Sequence, residues 1–361
     1  MSIFNKVTVV IPSYKPDEKL ISTLNGVIET GFTDIIVVDD GGGEKYAPIF
    51  DEVKTMAGFT VLHHPKNRGK GAALKTAFAY YLENRPDSVG LVTADADGQH
   101  LPEDILGCAR DMVEKESVIL GVRDFSLPHV PPRSKAGNRF TSGFFKIFFG
   151  MNISDTQTGL RAIPRKYLKP ISEVEGDRYE YETHMLFLIG KARIPMAEHT
   201  IDTVYIDDNS SSHFRVIRDS ARIYKMVLLF AASSLICTAI DVLLNLVFAS
   251  AVSDGLLVSN IFATTLIAFG GARLITAIIN YFINRYAVFK DTGRQAVLQY
   301  ALLACCIFAV NIIPILIVFV FPIPFTNAIV MPLRLIVSLI LFPISFKFQH
   351  NIVFNKYKSL K

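Results

Sequence analysis

Apolar and polar residues are distributed very unevenly along this chain of 361 residues. Residues 1–225 alternate short apolar runs with charged and polar segments, whereas residues 226–348 are apolar almost throughout. Half of all residues are hydrophobic, and the mean hydropathy is +0.35. This pattern predicts a polar domain at 1–213, an amphipathic interfacial helix at 214–225 and a transmembrane domain with four helices at 226–361.

Short apolar runs in the first domain are rich in β-branched residues and end at proline, glycine or aspartate, which predicts buried strands. The predicted strands are Val7–Ile11, Ile35–Val38, Thr60–Leu62, Val89–Thr93 and Val118–Gly121. Helical spacing follows over Asp17–Ile28 and from Gly69 to Leu82. Strands that alternate with helices predict an α/β domain with a mostly parallel sheet and helices on both faces.

The segment after the fourth predicted strand reads Asp95-Ala96-Asp97-Gly98-Gln99-His100. Two carboxylates one residue apart can face one divalent cation, and Gln99 offers a neutral oxygen. Mg²⁺ and Mn²⁺ prefer such oxygen ligands and keep coordination positions for phosphate. Taken alone, the motif fits a solvated turn equally well.

Three other polar residues also follow predicted strands, namely Tyr14, Asp39 and Asp40. Ligands of parallel α/β sheets bind beyond the carboxyl ends of the strands. The two aspartates also suit a turn or a helix cap. Their shared edge with the Asp95 segment nevertheless favours a nucleotide pocket.

Several functional classes are disfavoured by what the chain contains. Gly41-Gly42-Gly43 follows the second predicted strand and does not have the spacing of a dinucleotide fingerprint, and Gly69-x-Gly71 lacks the P-loop spacing. The net charge is only +4 and no basic stripe is present, so a nucleic-acid partner is not expected. The four cysteines form neither a disulfide framework nor a zinc motif.

Four motifs occur in order: Val9–Tyr14, Val37–Gly41, Asn67–Ala73 and Asp95–His100. Together they resemble the family 2 inverting glycosyltransferases, in particular the dolichol-phosphate mannose synthase branch, over residues 7–225. The resemblance implies a GT-A fold, Mg²⁺ or Mn²⁺, a GDP- or UDP-linked sugar donor and a dolichyl or undecaprenyl phosphate acceptor. It implies transfer of one sugar with inversion, which gives a β-linked lipid-phosphate sugar.

The chain departs from the family pattern at two places. Lys15-Pro16 stands where the family usually has Asn-Glu after the tyrosine. Gly41-Gly42-Gly43-Glu44 replaces the usual Gly-Ser-x-Asp turn. Both departures fall beside the expected nucleoside pocket.

The resemblance assigns roles residue by residue. The donor-binding residues would be Pro12, Tyr14, Asp39, Asp40, Lys70, Asp95 and Ala96. The cation would be held by Asp95, Asp97 and Gln99. The acceptor phosphate and the sugar would meet Arg123, Arg133, Arg139, Asp155 and Arg161, and a closing loop would add His213 and Arg215. The residues expected to carry catalysis are Asp97, Arg123, Arg133 and Asp155.

Each of these assignments has a simpler alternative. The arginines around Arg133 suit a solvated basic loop, and Asp155 suits a turn before a strand at Leu160–Ile163. Glu180 and Glu182 lie in an acidic stretch that suits the start of a helix. The order of the motifs along the chain favours the site interpretation.

The second half of the chain contains four apolar segments near the ~20 residues that span a bilayer. They are Val227–Val252, Leu256–Ile283, Val297–Phe321 and Asn327–Phe346. Lysine and arginine concentrate before the first segment, between the second and third, and after the fourth. The positive-inside rule then places the catalytic domain and both termini in the cytoplasm. No signal-peptide pattern is seen, so an inner or plasma membrane is expected.

Asn280–Phe289 resembles the signature of the small four-helix GtrA membrane family, which is associated with polysaccharide synthesis and with proposed lipid-linked sugar translocation. Phe346–Phe354 repeats it more loosely, so a duplicated two-helix unit is a further hypothesis. Asp241, Arg273 and Arg334 lie within predicted spans. Because ionisable groups there are costly, Asp241 and Arg273 are predicted to form a structural ion pair.

Two other functions remain as alternatives to single-sugar transfer. A lipid-linked sugar translocase with an accessory transferase domain is disfavoured by the intact Asp95 motif. A processive polysaccharide synthase is disfavoured because its Gln-x-x-Arg-Trp motif needs a tryptophan, and the chain has none. The sequence leaves the sugar, the nucleotide, the acceptor lipid and the oligomeric state open.

Overall fold

The computed structural model describes residues 6–128, 130–202, 216–253, 261–290, 296–320 and 327–354. The chain divides into two units. The first contains the residues up to Lys146 and Met151–Ile223. The second contains Ile147–Gly150 and resumes at Tyr224.

A seven-stranded sheet forms the centre of the first unit, with the strand order β3-β2-β1-β4-β6-β5-β7. The strands are β1 (Val7–Ser13), β2 (Ile35–Asp39), β3 (Phe59–His63), β4 (Gly90–Thr93), β5 (Val118–Arg123), β6 (Arg161–Pro164) and β7 (Met196–Ile201). Strand β6 runs antiparallel to both of its neighbours, and the other paired strands are parallel. The predicted α/β class with a mostly parallel sheet is confirmed.

The predicted strands correspond to β1–β5 because β-branched runs that are buried on both faces suit a central parallel sheet. Val9, Val10 and Ile11 of β1 are fully buried. Strand β7 was not predicted. Its middle residues, including Glu198 and His199, are polar and only partly buried, so the sequence shows no apolar run there.

Seven helices accompany the sheet in the described part of the first unit. They are α1 (Glu18–Glu29), α2 (Ala47–Thr55), α3 (Lys70–Asn84), α4 (Pro102–Lys115), α5 (Pro132–Phe144), α6 (Arg165–Ser172) and α7 (Glu180–Ala192). Asp17 caps α1, since its side chain accepts a hydrogen bond from the Lys19 amide at 3.0 Å. Helix α3 begins after Gly69, whose φ of +103° favours glycine.

The second unit contains four long helices, α8 (Val216–Ser253), α9 (Ile261–Ile283), α10 (Ala296–Val320) and α11 (Asn327–Phe348). Each contains a stretch long and apolar enough to cross a membrane. Residues 216–225, predicted as part of an interfacial helix, are continuous with the first span in α8. Arg334 lies in α11. The short segment Ile147–Gly150 belongs to this unit, and its Phe149 ring packs edge-on against Phe346.

Helices α9 and α11 both end in π-helical turns, Asn284–Val288 and Gln349–Val353. Each turn is closed by the amide of the phenylalanine that follows it, at 2.8 Å. The buried Asn284 amide also donates to the Gln349 side-chain oxygen at 2.9 Å. The matching turns fall on the two segments whose sequences resemble each other.

The predicted ion pair within the second unit is confirmed. Arg273 Nε lies 3.5 Å from Asp241 Oδ1, and the Asp241 side chain is only 3% exposed. The two residues lie on α8 and α9, so the pair links these helices. Since a buried charge without its partner is costly, the pair should matter for the stability of this unit.

Asp241→Ala should lower the free energy of unfolding by roughly 3–5 kcal/mol, because Arg273 would lose its counter-charge. The exchange Asp241→Arg with Arg273→Asp should recover part of that loss. Thermal unfolding in detergent, compared with the control Thr238→Ala on the exposed face of α8, measures the effect. If both single variants and the exchange unfold like the wild type, the pair has no structural role.

Candidate active site

The residues that follow β1, β2 and β4 lie at one edge of the sheet. These strands are parallel neighbours, with Ser13 paired to Asp39 and Val10 paired to Thr93. Their carboxyl ends therefore bring Tyr14, Asp40 and Asp95 to the same side of the domain. The structure places Pro12, Tyr14 and Ala96 there as half-buried residues.

Lys70 lies between two carboxylates at this edge. Its Nζ atom is 2.7 Å from Asp95 Oδ1 and 3.0 Å from Glu182 Oε1. Lys70 is the first residue of α3, Asp95 follows β4, and Glu182 is in the first turn of α7. Gly159 allows the arrangement, since a Cβ atom there would lie 2.5 Å from Asp95 Oδ2.

The electrostatics of this cluster keep Lys70 and Asp95 in their charged forms. Burial alone would lower the pKa of Lys70, but Asp95 and Glu182 outweigh burial and hold it above its ordinary value. Burial alone would raise the pKa of Asp95, but the charge of Lys70 outweighs it and holds the pKa well below the usual range. The charges of His100 and Arg123 act on Asp95 in the same direction. The ammonium group of Lys70 and the carboxylate of Asp95 thus both stay charged across the physiological pH range.

The Asp95 segment folds into a tight turn that fixes its side chains. The Asp95 amide donates to His100 Nδ1 at 3.0 Å, and the Gln99 amide donates to Asp97 Oδ1 at 3.1 Å. Burial, followed by the charge of Asp95, raises the pKa of the Asp97 carboxyl above its ordinary value. Burial lowers the pKa of His100. Asp95 and Asp97 therefore repel each other at short range.

This donor set fits a divalent cation that is shared with a substrate. The charge of Asp95 raises the pKa of Asp97, and two neighbouring carboxylates of this kind are an arrangement that a hard cation neutralises. Within the described residues, no group of three or more His, Cys, Asp or Glu residues is gathered around one point. A cation bound by Asp95 and Asp97 would consequently need further oxygen ligands from elsewhere, for which the Gln99 side chain and substrate phosphates are suitable.

Arg123 and Asp155 form a second charged pair. Arg123 Nε donates to Asp155 Oδ2 at 2.7 Å and Arg123 Nη2 donates to Oδ1 at 3.2 Å. The Asp155 side chain is fully buried, whereas that of Arg123 is 23% exposed. The Gln157 amide also donates to Asp155 Oδ1. Asp155 therefore fixes the guanidinium of Arg123 and presents no exposed oxygen to a sugar.

Arg161 is buried, with 1% of its surface exposed. Its Nη1 donates to the Glu182 carbonyl at 2.6 Å, and its Nε donates to the Thr158 carbonyl at 3.1 Å. Burial lowers the pKa of Arg161. The residue thus positions the start of α7, which carries Glu182.

Asp39 is the last residue of β2 and Asp40 follows it, and the two have different partners. Asp40 Oδ1 accepts bonds from His64 Nδ1 at 2.7 Å and from the Arg68 amide at 2.9 Å, and Oδ2 accepts one from the Gly69 amide at 2.7 Å. Asp40 therefore anchors the loop that leads into Lys70. Asp39 accepts from the Gly42 amide at 3.0 Å and pairs with the exposed His63.

The remaining predicted site residues lie on α5 or outside the described residues. Arg133 is in the first turn of α5, and Arg139 is exposed on the same helix. His213 and Arg215 lie outside the residues that the structure describes. Glu182 is not among the predicted site residues, because its acidic stretch also suits the start of a helix. Its near burial in the first turn of α7 is apparent only from the fold.

Comparison with known proteins shows that this chain is similar to glycosyltransferases. Residues 8–171 match the family model described as "Glycosyl transferase family 2". A UDP-N-acetylglucosamine–dolichyl-phosphate N-acetylglucosaminyltransferase of Methanococcus voltae is 25% identical over 62% of this chain and 95% of its own length.

Two further relatives have names of the same kind. A dolichyl-phosphate β-glucosyltransferase of Dictyostelium discoideum is 27% identical over 60% of this chain and 73% of its own length. An undecaprenyl-phosphate mannosyltransferase of Micrococcus luteus is 28% identical over 50% of this chain and 76% of its own length. Residues 8–171 of this chain are therefore similar to the family 2 glycosyltransferases, and the relatives of the chain include proteins named as polyprenyl-phosphate sugar transferases.

Proposed function

We propose that this protein transfers one sugar from a GDP- or UDP-linked donor to a polyprenyl phosphate, dolichyl or undecaprenyl, with inversion at the sugar carbon. The observation that carries the proposal is the charged cluster at the carboxyl edge of the sheet, where Lys70 bridges Asp95 and Glu182. The names of the relatives support the acceptor class. The four apolar helices supply a membrane anchor at which such an acceptor is found.

The donor would lie along the edge formed by β1, β2 and β4, with its nucleoside near Tyr14 and Asp39. Asp95 and Asp97, with Gln99, would hold Mg²⁺ or Mn²⁺. When bound, this ion would neutralise the negative charge that develops on the departing diphosphate. Lys70 lies next to Asp95, so its positive charge would also act on the departing diphosphate. Preorganised charges of this kind stabilise a transition state because they need no reorganisation.

The acceptor needs no strong general base. A phosphate monoester has a second pKa of about 6, so near neutral pH it already carries an anionic oxygen that can attack. The protein must instead hold this phosphate in line with the bond that breaks. Arg123 is suited to that task because it is always charged and its guanidinium is fixed by Asp155. Arg133 and Arg139 on α5 would add phosphate contacts.

Attack on an α-linked sugar from the face opposite the diphosphate would give a β-linked lipid-phosphate sugar. The catalytic unit and both chain termini would lie on the cytoplasmic side of an inner or plasma membrane, since the loops with lysine and arginine lie on that side under the positive-inside rule. Nucleotide sugars would then reach the site directly.

Transfer of radioactive sugar from GDP- and UDP-linked donors into organic-extractable lipid is the assay for this proposal. In that assay, Asp97→Asn should lower turnover by at least about a hundredfold, because one charge that balances the cation is lost. The fold should persist, since Asp97 is half-buried and in a turn. The exposed Asp51→Asn serves as control, and a near wild-type rate for Asp97→Asn would refute the cation role.

Asp155→Asn should weaken acceptor use by roughly tenfold to a hundredfold, because a neutral amide would no longer fix Arg123 through charge-assisted bonds. The loss should appear mainly in the KM for polyprenyl phosphate, with the KM for the donor little changed. Glu116→Gln, which removes the exposed Lys166–Glu116 pair, is the matched control. An equal loss for donor and acceptor would point to general unfolding of the site.

Lys70→Met should lower kcat/KM for the nucleotide sugar by about a hundredfold, because the transition state loses a buried positive charge. The raised pKa of Lys70 keeps the wild-type ammonium charged at pH 9, so alkaline pH should not imitate the variant. Lys75→Met changes a lysine of the same helix that pairs with Asp177 and is the control. If both variants behave alike, Lys70 does not act on the donor.

A further inference from the structure

Two positive charges compete for the Asp95 carboxylate, namely the ammonium group of Lys70 and the proposed divalent cation. Lys70 Nζ lies 2.7 Å from Asp95 Oδ1. Magnesium binds carboxylate oxygens at ~2.0–2.1 Å. A cation on the same oxygen would lie within about 5 Å of the ammonium group, where a double and a single positive charge repel each other strongly. The Lys70–Asp95 contact and cation binding by Asp95 therefore oppose each other.

Lys70 is the member of this contact that can move. The Asp95 amide donates to His100 Nδ1 at 3.0 Å, which fixes the backbone of the Asp95 segment. A Cβ atom on Gly159 would lie 2.5 Å from Asp95 Oδ2, so Gly159 packs closely against the carboxylate. The ammonium group of a lysine, in contrast, is carried on a flexible aliphatic stem. Displacement of Lys70 therefore needs a smaller rearrangement than displacement of Asp95.

Glu182 is placed to keep Lys70 at the site after such a displacement. Its Oε1 atom lies 3.0 Å from Lys70 Nζ. The Glu182 side chain is 11% exposed and that of Asp95 is 30% exposed, so an ion from solvent reaches Asp95 more readily. The backbone of Glu182 is also held, since its carbonyl accepts a hydrogen bond from Arg161 Nη1 at 2.6 Å. Glu182 can therefore remain the counter-ion of Lys70 when Asp95 binds the cation.

A phosphate oxygen can replace Asp95 as the second partner of Lys70. An ammonium group only donates hydrogen bonds, so it needs anionic or polar oxygens around it. Among the described residues, the ion pairs of Lys70 are those with Asp95 and Glu182. A diphosphate that shares a cation with Asp95 would bring its anionic oxygens next to Lys70. The charge of Lys70 would then pass from one anion to another without leaving the site.

We propose that Lys70 is an exchangeable counter-ion and that Glu182 is its positioning residue. Lys70 neutralises Asp95 until a divalent cation binds there, and it then pairs with the diphosphate of the donor while Glu182 holds it at the site. The identity of this diphosphate rests on the proposed function. Cation binding and nucleotide binding are consequently coupled through one ammonium group. Because Glu182 keeps that group in place, little reorganisation is left for the chemical step.

Binding of Mn²⁺ to the full chain in detergent, followed by electron paramagnetic resonance of the free ion, tests the exchange independently of sugar transfer. Without nucleotide, Lys70→Met should lower the dissociation constant of Mn²⁺ by about tenfold or more, because a competing positive charge near the ion is removed. Glu182→Gln should raise it by about tenfold, because Asp95 is then the remaining carboxylate partner of Lys70. Lys70→Arg keeps the charge and should change it by less than about threefold.

Nucleotide should change this comparison. Addition of UDP or GDP should tighten Mn²⁺ binding about tenfold more in the wild type than in Lys70→Met, because wild-type Lys70 gains a phosphate partner. The variant that binds Mn²⁺ more tightly by itself should thus be the one with low turnover. Lys75→Met, which breaks an ion pair with Asp177 on the same helix, and the exposed Glu175→Gln are the controls. Both controls should bind Mn²⁺ like the wild type.

Mn²⁺ binding that is no tighter in Lys70→Met than in the wild type would overturn the proposal. Changes in the same direction in Lys70→Met and Glu182→Gln, or an equal effect of nucleotide on Lys70→Met and the wild type, would also overturn it. If the variants fail to fold, acetylation of wild-type lysines, followed by mass spectrometry, decides. Lys70 should react faster with Mn²⁺ and more slowly again when the nucleotide is added, whereas Lys75 should not change, and an unchanged rate at Lys70 would overturn the exchange.

The outcomes for this exchange and for the proposed function are distinguishable. The expected Mn²⁺ pattern together with failure to make radioactive lipid would refute the proposed function alone. Radioactive lipid made by a protein without that pattern would refute the exchange alone. Absence of Mn²⁺ binding from the wild type and every variant, with and without nucleotide, would refute both the exchange and the cation role.

Discussion

The ammonium group of Lys70 has to be paired, because it sits at the edge of the sheet with little access to water. The carboxylates of Asp95 and Glu182 meet that requirement at 2.7 and 3.0 Å, and in doing so they join α3, β4 and α7. The neighbouring residues support this trio. Asp40 anchors the loop into α3, and Arg161 holds the carbonyl of Glu182. A charged site is thereby assembled from elements that are distant in sequence.

Preorganised charge is also what a sugar transferase needs when its nucleophile is already ionised. The chemistry then depends on where charges lie and less on proton transfer. Arg123, fixed by the buried Asp155, can present a guanidinium to a phosphate without reorientation. Lys70 supplies positive charge beside the predicted cation ligands. In the proposed function, Asp95 then belongs to the donor site and Arg123 to the acceptor phosphate.

Sequence reasoning was successful where the signal is local. Apolar runs that end in a polar motif predicted β1–β5, and apolar segments of membrane length predicted the four long helices. It failed for β7, where polar residues such as Glu198 lie in a strand without an apolar run. The contacts of Asp155 and Arg161 were also not predictable, since both are buried against partners that only the fold brings near. Pairing between distant residues leaves no trace in spacing or composition.

The most direct test of the central claim is a structure of the full chain with Mn²⁺ and a nucleoside diphosphate. The account predicts that the metal binds the carboxylates of Asp95 and Asp97 and that the diphosphate lies beside Lys70. It predicts that Asp155 still contacts Arg123 and does not contact the ligand. A diphosphate bound away from the carboxyl ends of β1, β2 and β4, with Mn²⁺ distant from both aspartates, would contradict it.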